Sequence, residues 1–415
     1  MTRYSHLSIA IPVLAEYDNL LSLFESLKRQ TFSDFDVYVC VNNPNTWSES
    51  EDERERSMYL DNQASLGWLS QQQRQSENIH VLDFSSSLKG WIGRKRGVGW
   101  ARKSLFDAII AEHGDNELVV SLDADTGFGD KYFETLLEVF NDSPDSSCLA
   151  VPYYHPLSGD EMNDRAMLRY EIYMRHYLIS MLDVANSLKA EGQHFPYAFT
   201  ALGSAMVFPA WAYRRVGGIT PLQGGEDFYL MQKFAKTGKV LLSCSDVVRP
   251  QGRPSLRVPF GTGPAIAKGV DSMDNSYPLY PHEAFDAVSN TFCMFPMLYD
   301  VETETPMTQF LRDQLKRDDI WQPLRKNFKT RELFAHACQE RVDGLRILQF
   351  LKFYREQMVA LRGTVLSSEE ELRHCCKSHG INMPDDFSFV SSSLAVISNL
   401  RDNLFEEELS LRRHH

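Results

Sequence analysis

Two short acidic pairs carry the residue types that chemistry needs. The first closes the apolar run "ELVVSLDADTGFGD" (117–130), where Asp123 and Asp125 flank Ala124. In an extended segment alternate side chains point the same way, so both carboxylates would face one ligand, and the small Ala124 would let it approach. Two hard oxygen ligands beside a diphosphate make an octahedral Mg²⁺ or Mn²⁺ site. Such an ion neutralises charge developing on a leaving diphosphate. The same residues also read as a polar turn, because Asp before "TGFGD" opens one well.

The second pair lies in "LQGGEDFYLMQKFAKTG" (222–238). Gly224 and Gly225 permit an unusual backbone path. Glu226 and Asp227 then open a helix with Phe228, Met231 and Phe234 on its apolar face, closed by Gly238. Acids in a first helical turn complement the helix dipole and cap exposed amides. Alternatively Asp227, kept ionised at that helix start, is a general base that takes a proton from an attacking hydroxyl.

Two basic stretches offer counter-charge. "KGWIGRKRGVGWA" (89–101) carries Arg94, Lys95 and Arg96, which either face a diphosphate or form a solvated surface. "VVRPQGRPSLRVPFGTG" (247–263) sets Arg249, Arg253 and Arg257 among glycines and prolines. That stretch is either a lid over phosphates or a surface connection.

The elements that must position these groups alternate. "LSIAIPV" (7–13) reads as a buried strand stopped by Pro12, and residues 17–30 as a helix with Leu20, Leu21, Phe24 and Leu27 on one face. "FDVYVCV" (35–41) and "IHVLDF" (79–84) are further strands, and the charged residues 44–78 between them read as a partly helical, solvated insertion. A helix follows near 95–112, then the strand "ELVVSLD", a helix over 130–140, a strand over 147–154 and an aromatic-rich helix over 160–188. A strand at 205–208, a helix from about Asp227 and the strand "KVLLSC" (239–244) complete this part. Residues 249–282 read as an extended loop region, and amphipathic helices fill the rest, with a boundary near 260–285. Alternating strands and helices predict an α/β sheet with crossover helices. Open sheets of that kind bind ligands at the carboxyl ends of their strands, where Asp123 and Asp125 fall.

The 415 residues carry a net charge of −13, which excludes broad attraction to nucleic acid. No apolar stretch reaches the roughly 18–20 residues that span a bilayer, and residues 1–13 lack the pattern of a signal peptide, so a cytoplasmic protein is expected, with peripheral contact at a membrane left open. Seven cysteines without a regular framework fit reduced thiols; Cys375 and Cys376, flanked by His374 and His379, match no zinc spacing.

The order "LSIAIPVLAEYDNL", "DVYVCVNNPN", "KGWIGRKRGVGWA", "VVSLDAD", "GSAMVFPAWAYRRVGG", "GGEDFYLMQKFAKTG" resembles that of family 2 glycosyltransferases of the GT-A fold, over about residues 7–260. The resemblance implies a GT-A-type, Rossmann-like nucleotide-diphospho-sugar transferase domain (1–270) followed by a mostly α-helical C-terminal domain (271–415). It implies nucleotide-sugar contacts at Pro12, Val13, Glu16, Asn42, Gly90, Arg94, Asp123 and Arg257. It further implies Mg²⁺ or Mn²⁺ on Asp123 and Asp125, and catalysis at Asp227 with Glu226. Ala15 and Asn42 depart from the family's usual Asn and Asp, and the family's third metal ligand, often His, has no counterpart before His282. The implied reaction is transfer from a UDP- or GDP-sugar to a hydroxyl on a carbohydrate, small-molecule or lipid-linked acceptor, with inversion; a homodimer is left open. Two other readings stand beside it: a nucleotidyltransferase making the activated sugar, and a catalytically silent carbohydrate- or partner-binding protein.

Overall fold

The computed structural model describes residues 3–93, 95–242, 245–255, 261–271, 277–362 and 367–414. The chain divides into two compact units, Met1–Met167 with Thr200–Val270, and Leu168–Phe199 with Asp271–His415.

The first unit begins β1 (Leu7–Val13), α1 (Tyr17–Lys28), β2 (Phe35–Asn42), α2 (Glu53–Gln73), β3 (Ile79–Phe84), α3 (Val98–Glu112) and β4 (Leu118–Ser121). It continues with β5 (Thr126–Gly127), α4 (Tyr132–Asp142), β6 (Cys148–Ala150) and α5 (Glu161–Ala190), whose later turns belong to the second unit. After these come β7 (Met206–Pro209), α6 (Ala210–Arg215), α7 (Glu226–Thr237), β8 (Val240–Leu241), β9 (Arg249–Pro250) and α8 (Thr262–Asp271). Seven strands form one sheet in the order β3-β2-β1-β4-β7-β6-β8, and β7 alone runs antiparallel to its neighbours. The fold is therefore α/β on a mostly parallel sheet. Residues 7–11 of β1 and 37–42 of β2 are buried without interruption, so both faces of these strands are covered.

Several local expectations change. Pro12 does not stop β1: the strand pairs in register through Pro12↔Cys40 and Val13↔Val41. Ala10 faces β4, accepting from Leu122 N at 3.1 Å, so the missing amide of Pro12, two residues on, points past the end of that ladder. On α1 it is Leu23, rather than Leu21, that joins Leu20, Phe24 and Leu27 in the core. Residues 44–78 are a genuine crossover, since α2 is a 21-residue helix capped by Asp52. Its inward stripe is polar at two of its three buried positions, Asn62, Ser65 and Leu69. Asn62 accepts from Ala15 N (2.9 Å) and donates to Asn42 O (3.1 Å) and Asn43 Oδ1 (2.9 Å), pinning the turn after β1 to the end of β2. Part of the expected loop region 249–282 is helical, as α8.

The second unit holds α9 (His282–Met294), α10 (Thr308–Leu315), α11 (Gln322–Asn327), α12 (Arg331–Arg341), α13 (Gly344–Arg362), α14 (Ser368–Ser378) and α15 (Leu394–His414). Ile347, Phe350 and Leu351 of α13 are buried, so that face packs internally. Arg175 bridges Glu171 (2.9 Å) and Glu408 (2.8 Å), and Arg412 also donates to Glu408 (2.7 Å), all inside the unit. Among the described residues no helix is long and apolar enough to cross a membrane.

Candidate active site

The expected site residues of the first unit gather where β1, β2 and β4 end. Beyond β1, Ala15 adopts a left-handed φ of 54°, and Glu16, buried, begins α1. Asn42, also buried, donates to Val13 O at 3.2 Å and thus ties β2 to β1. Gly90 lies against the next turn so closely that a Cβ would meet Asn45 Cα at 2.5 Å.

The turn after β4 overturns one premise. Asp123 O accepts from Thr126 N at 3.1 Å, so residues 123–126 form a turn rather than an extended segment. Alternation therefore does not align Asp123 with Asp125. Each acid instead meets a different arginine. Arg102 of α3 donates to Asp123 at 2.6 Å and pairs with Glu226. Arg253 pairs with Glu16 and donates to Asp125 at 3.2 Å. Glu16 is held further by Asn19 Nδ2 at 2.6 Å.

Arg102 is the residue that sequence reading missed. It joins two motifs a hundred residues apart while its side chain is only 5 % exposed, and Glu226 is 2 % exposed. Burial works against the charge on Arg102, but Asp123, Glu226 and Asp227 outweigh it and hold the guanidinium above its ordinary range. Burial pushes the Glu226 carboxyl up; Arg102 opposes this and the charge of Asp227 adds to it. One cation among three acids accounts for both directions. A signal was present: Arg102 continues the buried stripe Leu105, Phe106, Ile109 of α3 at helical spacing, where an arginine demands a partner. Gly203 makes room, since a Cβ there would lie 2.0 Å from Arg102 Nη2.

Gly225, at φ 75°, starts α7, and neither acid caps it in the usual way: Glu226 turns to Arg102, and Asp227 accepts from Phe228 N at 2.7 Å. The preceding residues press on α3, because a Cβ on Gly99 would lie 2.1 Å from Leu222 O and 2.7 Å from Leu222 N. Alanine inside a helix ordinarily stabilises by about 0.8–1 kcal/mol over glycine. Gly99→Ala is expected to do the reverse and cost about 1–3 kcal/mol, because rigid backbone must move. A urea unfolding midpoint checks the sign.

Arg253 also stays charged above its usual range: burial opposes it, and Glu16 and Asp125 outweigh burial. Arg249 is exposed in β9, which pairs with β5 just after the two acids. Arg94 and Arg257 lie outside the described residues. His282 belongs to the second unit, where its ring stacks on His374 at 3.8 Å. Cys375 and Cys376 are buried free thiols, and His379 binds Asp183 and Glu407 at 2.9 Å each.

No family model matches the chain, and no curated protein does. Among solved structures, S. aureus TarS 1–349 in complex with UDP-GlcNAc is similar at 12% identity, covering 85% of this chain and 92% of that one, with a TM-score of 0.42. The same TarS fragment without a named ligand is similar at 11% identity over 99% and 90% of the two chains, TM-score 0.39. The mannosyltransferase PcManGT from Pyrobaculum calidifontis, in complex with GDP-Man and Mn²⁺, is similar at 10% identity over 97% and 85%, TM-score 0.36. Overlaps this loose say nothing of what the present chain binds.

Proposed function

We propose that this protein is a metal-dependent glycosyltransferase of the GT-A, family 2-like kind, moving a sugar from a UDP- or GDP-sugar to an acceptor hydroxyl with inversion. The observation supporting this reading is the Arg102 bridge. It brings the acid of the first motif and the acids of the second to one place at the carboxyl ends of the strands. In this reading residues 1–270 are the catalytic domain and 271–415 a mostly helical one.

The donor set around the turn suits a hard divalent ion. It offers carboxylate oxygens only, and the guanidinium of Arg253 already stands against Asp125 as positive charge. Asp123 and Asp125 would hold Mg²⁺ or Mn²⁺, which supplies Lewis-acid stabilisation of the leaving diphosphate. Arg253 and Arg102 add fixed positive charge on the donor side. Glu226 is buried against Arg102 and acts through it, as a positioning residue. Asp227 is the general base. Pro12, Val13, Glu16, Asn42 and Gly90 shape the nucleotide side through the ends of β1 and β2.

A nucleotidyltransferase needs a glycine-rich basic loop after its first strand, and "LAEYDNL" there runs straight into α1. Thermal-shift screening of UDP, GDP and their sugars with Mg²⁺ or Mn²⁺ tests the proposal. A donor at 100 times its Kd is expected to stabilise the fold by about 2.7 kcal/mol, only with metal present. Transfer to an acceptor sugar then separates an enzyme from a silent scaffold. If no nucleoside diphosphate raises the melting temperature, the proposal fails.

A further inference from the structure

The opposite edge of the sheet carries a second, unrelated constellation. His6 precedes β1, Asp36 lies in β2, His80 in β3, His113 follows α3, and Glu117 precedes β4. Three histidines and several acids thus converge at the amino-terminal ends of the strands, away from Asp123 and Asp227. We propose that this edge holds one divalent transition-metal ion of the zinc class, bound by Nδ1 of His6, Nδ1 of His113 and the carboxylate of Glu117.

The first support is spacing. Ligand atoms of His6, His113 and Glu117 all lie within 4.8 Å of one another. An ion held at about 2.0–2.2 Å sets tetrahedral ligands roughly 3.3–3.5 Å apart. Glu117 Oε2 is 3.5 Å from His113 Nδ1, whereas His6 Nδ1 stands at hydrogen-bond distances of 2.8 and 3.0 Å from Oε1 and Oε2, which an ion would lengthen. The first of these is too long for a good hydrogen bond yet right for a shared ion.

The second support is the tautomer of His113. Its Nε2 lies 3.1 Å from the Tyr38 hydroxyl oxygen, whose proton is donated to Glu112 at 2.5 Å. Asp36 Oδ2 stands 3.4 Å from the same Nε2. Facing two acceptors, Nε2 carries the proton, which leaves a lone pair on Nδ1 aimed at a carboxylate oxygen. Two lone pairs facing each other at that distance call for a cation between them.

The outer groups fit. Asp36 also stands 3.9 Å from His6 Nε2, so one carboxylate backs both rings, as the outer partners of metal-bound histidines do. Ser8 Oγ donates to Glu117 Oε1 at 2.6 Å and fixes that carboxylate, whose two oxygens both face His6 Nδ1 and whose Oε2 also faces His113. The rings themselves lie nearly parallel, 20° apart with centroids at 5.4 Å. Glu117 is buried and both rings are mostly so. His80 Nε2, buried without a hydrogen-bond partner 3.7 Å from Asp36, marks further unspent polarity at the same edge. An ion here would tie the entries of β1 and β4 to the end of α3.

The test uses the full chain, stripped with chelator and titrated with Co²⁺ by visible absorption, then displaced by Zn²⁺. One Co²⁺ is expected to bind with the strong bands of a tetrahedral site. His113→Gln is expected to weaken binding by at least about tenfold, while His282→Gln, in the other His/Glu group of the described residues, leaves it unchanged. Because changes at a buried edge can impair folding, anomalous diffraction from Zn²⁺-soaked wild-type crystals provides a reading that needs no variant. It should place a peak between His6, His113 and Glu117. Absence of Co²⁺ binding at millimolar metal, wild-type affinity in His113→Gln, or a zinc peak only elsewhere would each overturn the proposal and leave a protonated His–Glu ion pair in its place.

Discussion

Arg102→Met is expected to lower stability by about 3–5 kcal/mol, because it leaves Glu226 buried beside a second acid with no cation. Transfer should fall further than stability explains, by about 10²–10³-fold, since a preorganised charge beside the reacting groups is lost. Lysine should rescue little. Arg102 reaches Asp123 and Glu226 with the two ends of one planar fork, and a single ammonium cannot reproduce that geometry. The two losses separate in the double variant Arg102→Met/Glu226→Leu. Removing both buried charges should restore most of the urea midpoint, as apolar replacement of buried pairs commonly does. Transfer should stay low. Recovered transfer in the double variant would reduce Arg102 to a neutraliser of Glu226, and an unchanged midpoint in Arg102→Met would mean that the bridge is not formed in solution.

This bridge also explains what could be read from the residues alone. The strands were legible because β1, β2 and β3 are apolar runs of ordinary length between turn signals, and helices such as α1 and α7 carry an apolar stripe. The crossover α2 was legible only as part of a partly helical insertion, because Asn62 and Ser65 share its packed side with Leu66, Trp68 and Leu69, and Asn62 hydrogen-bonds toward the turns after β1 and β2. Hydrophobic period weakens where amides and hydroxyls share the packed face of a helix. The same limit hid the partners of the acids. Motif reading found Asp123, Asp125, Glu226 and Asp227 by type and spacing, and treated Asp123 and Asp125 as a matched pair on an extended segment. A turn at 123–126 separates them, and the choice of partner was made by residues on distant segments: Arg102 on α3, and Arg253 in the loop after β9. Pairings over such sequence separations follow from tertiary packing, here from close approaches at Gly99 and Gly203.

Asp227→Asn is expected to abolish most transfer, by about 10²–10⁴-fold, while leaving the fold and the donor site in place. The amide oxygen of asparagine can still accept from Phe228 N, which is the bond Asp227 makes at the start of α7. Stability should therefore change by no more than about 0.5 kcal/mol, as for substitutions that break no buried feature. What asparagine cannot do is take a proton from an acceptor hydroxyl. The decisive comparison is single-turnover transfer against metal-dependent binding of the nucleoside diphosphate. Loss of the first with retention of the second assigns Asp227 to the base, whereas loss of both assigns it to donor or metal. Undiminished transfer would remove it from the mechanism. The anomeric configuration of the wild-type product, followed by NMR before mutarotation, completes the argument. A base that activates the acceptor for direct displacement inverts that centre, and a retained configuration would require the acid to act otherwise.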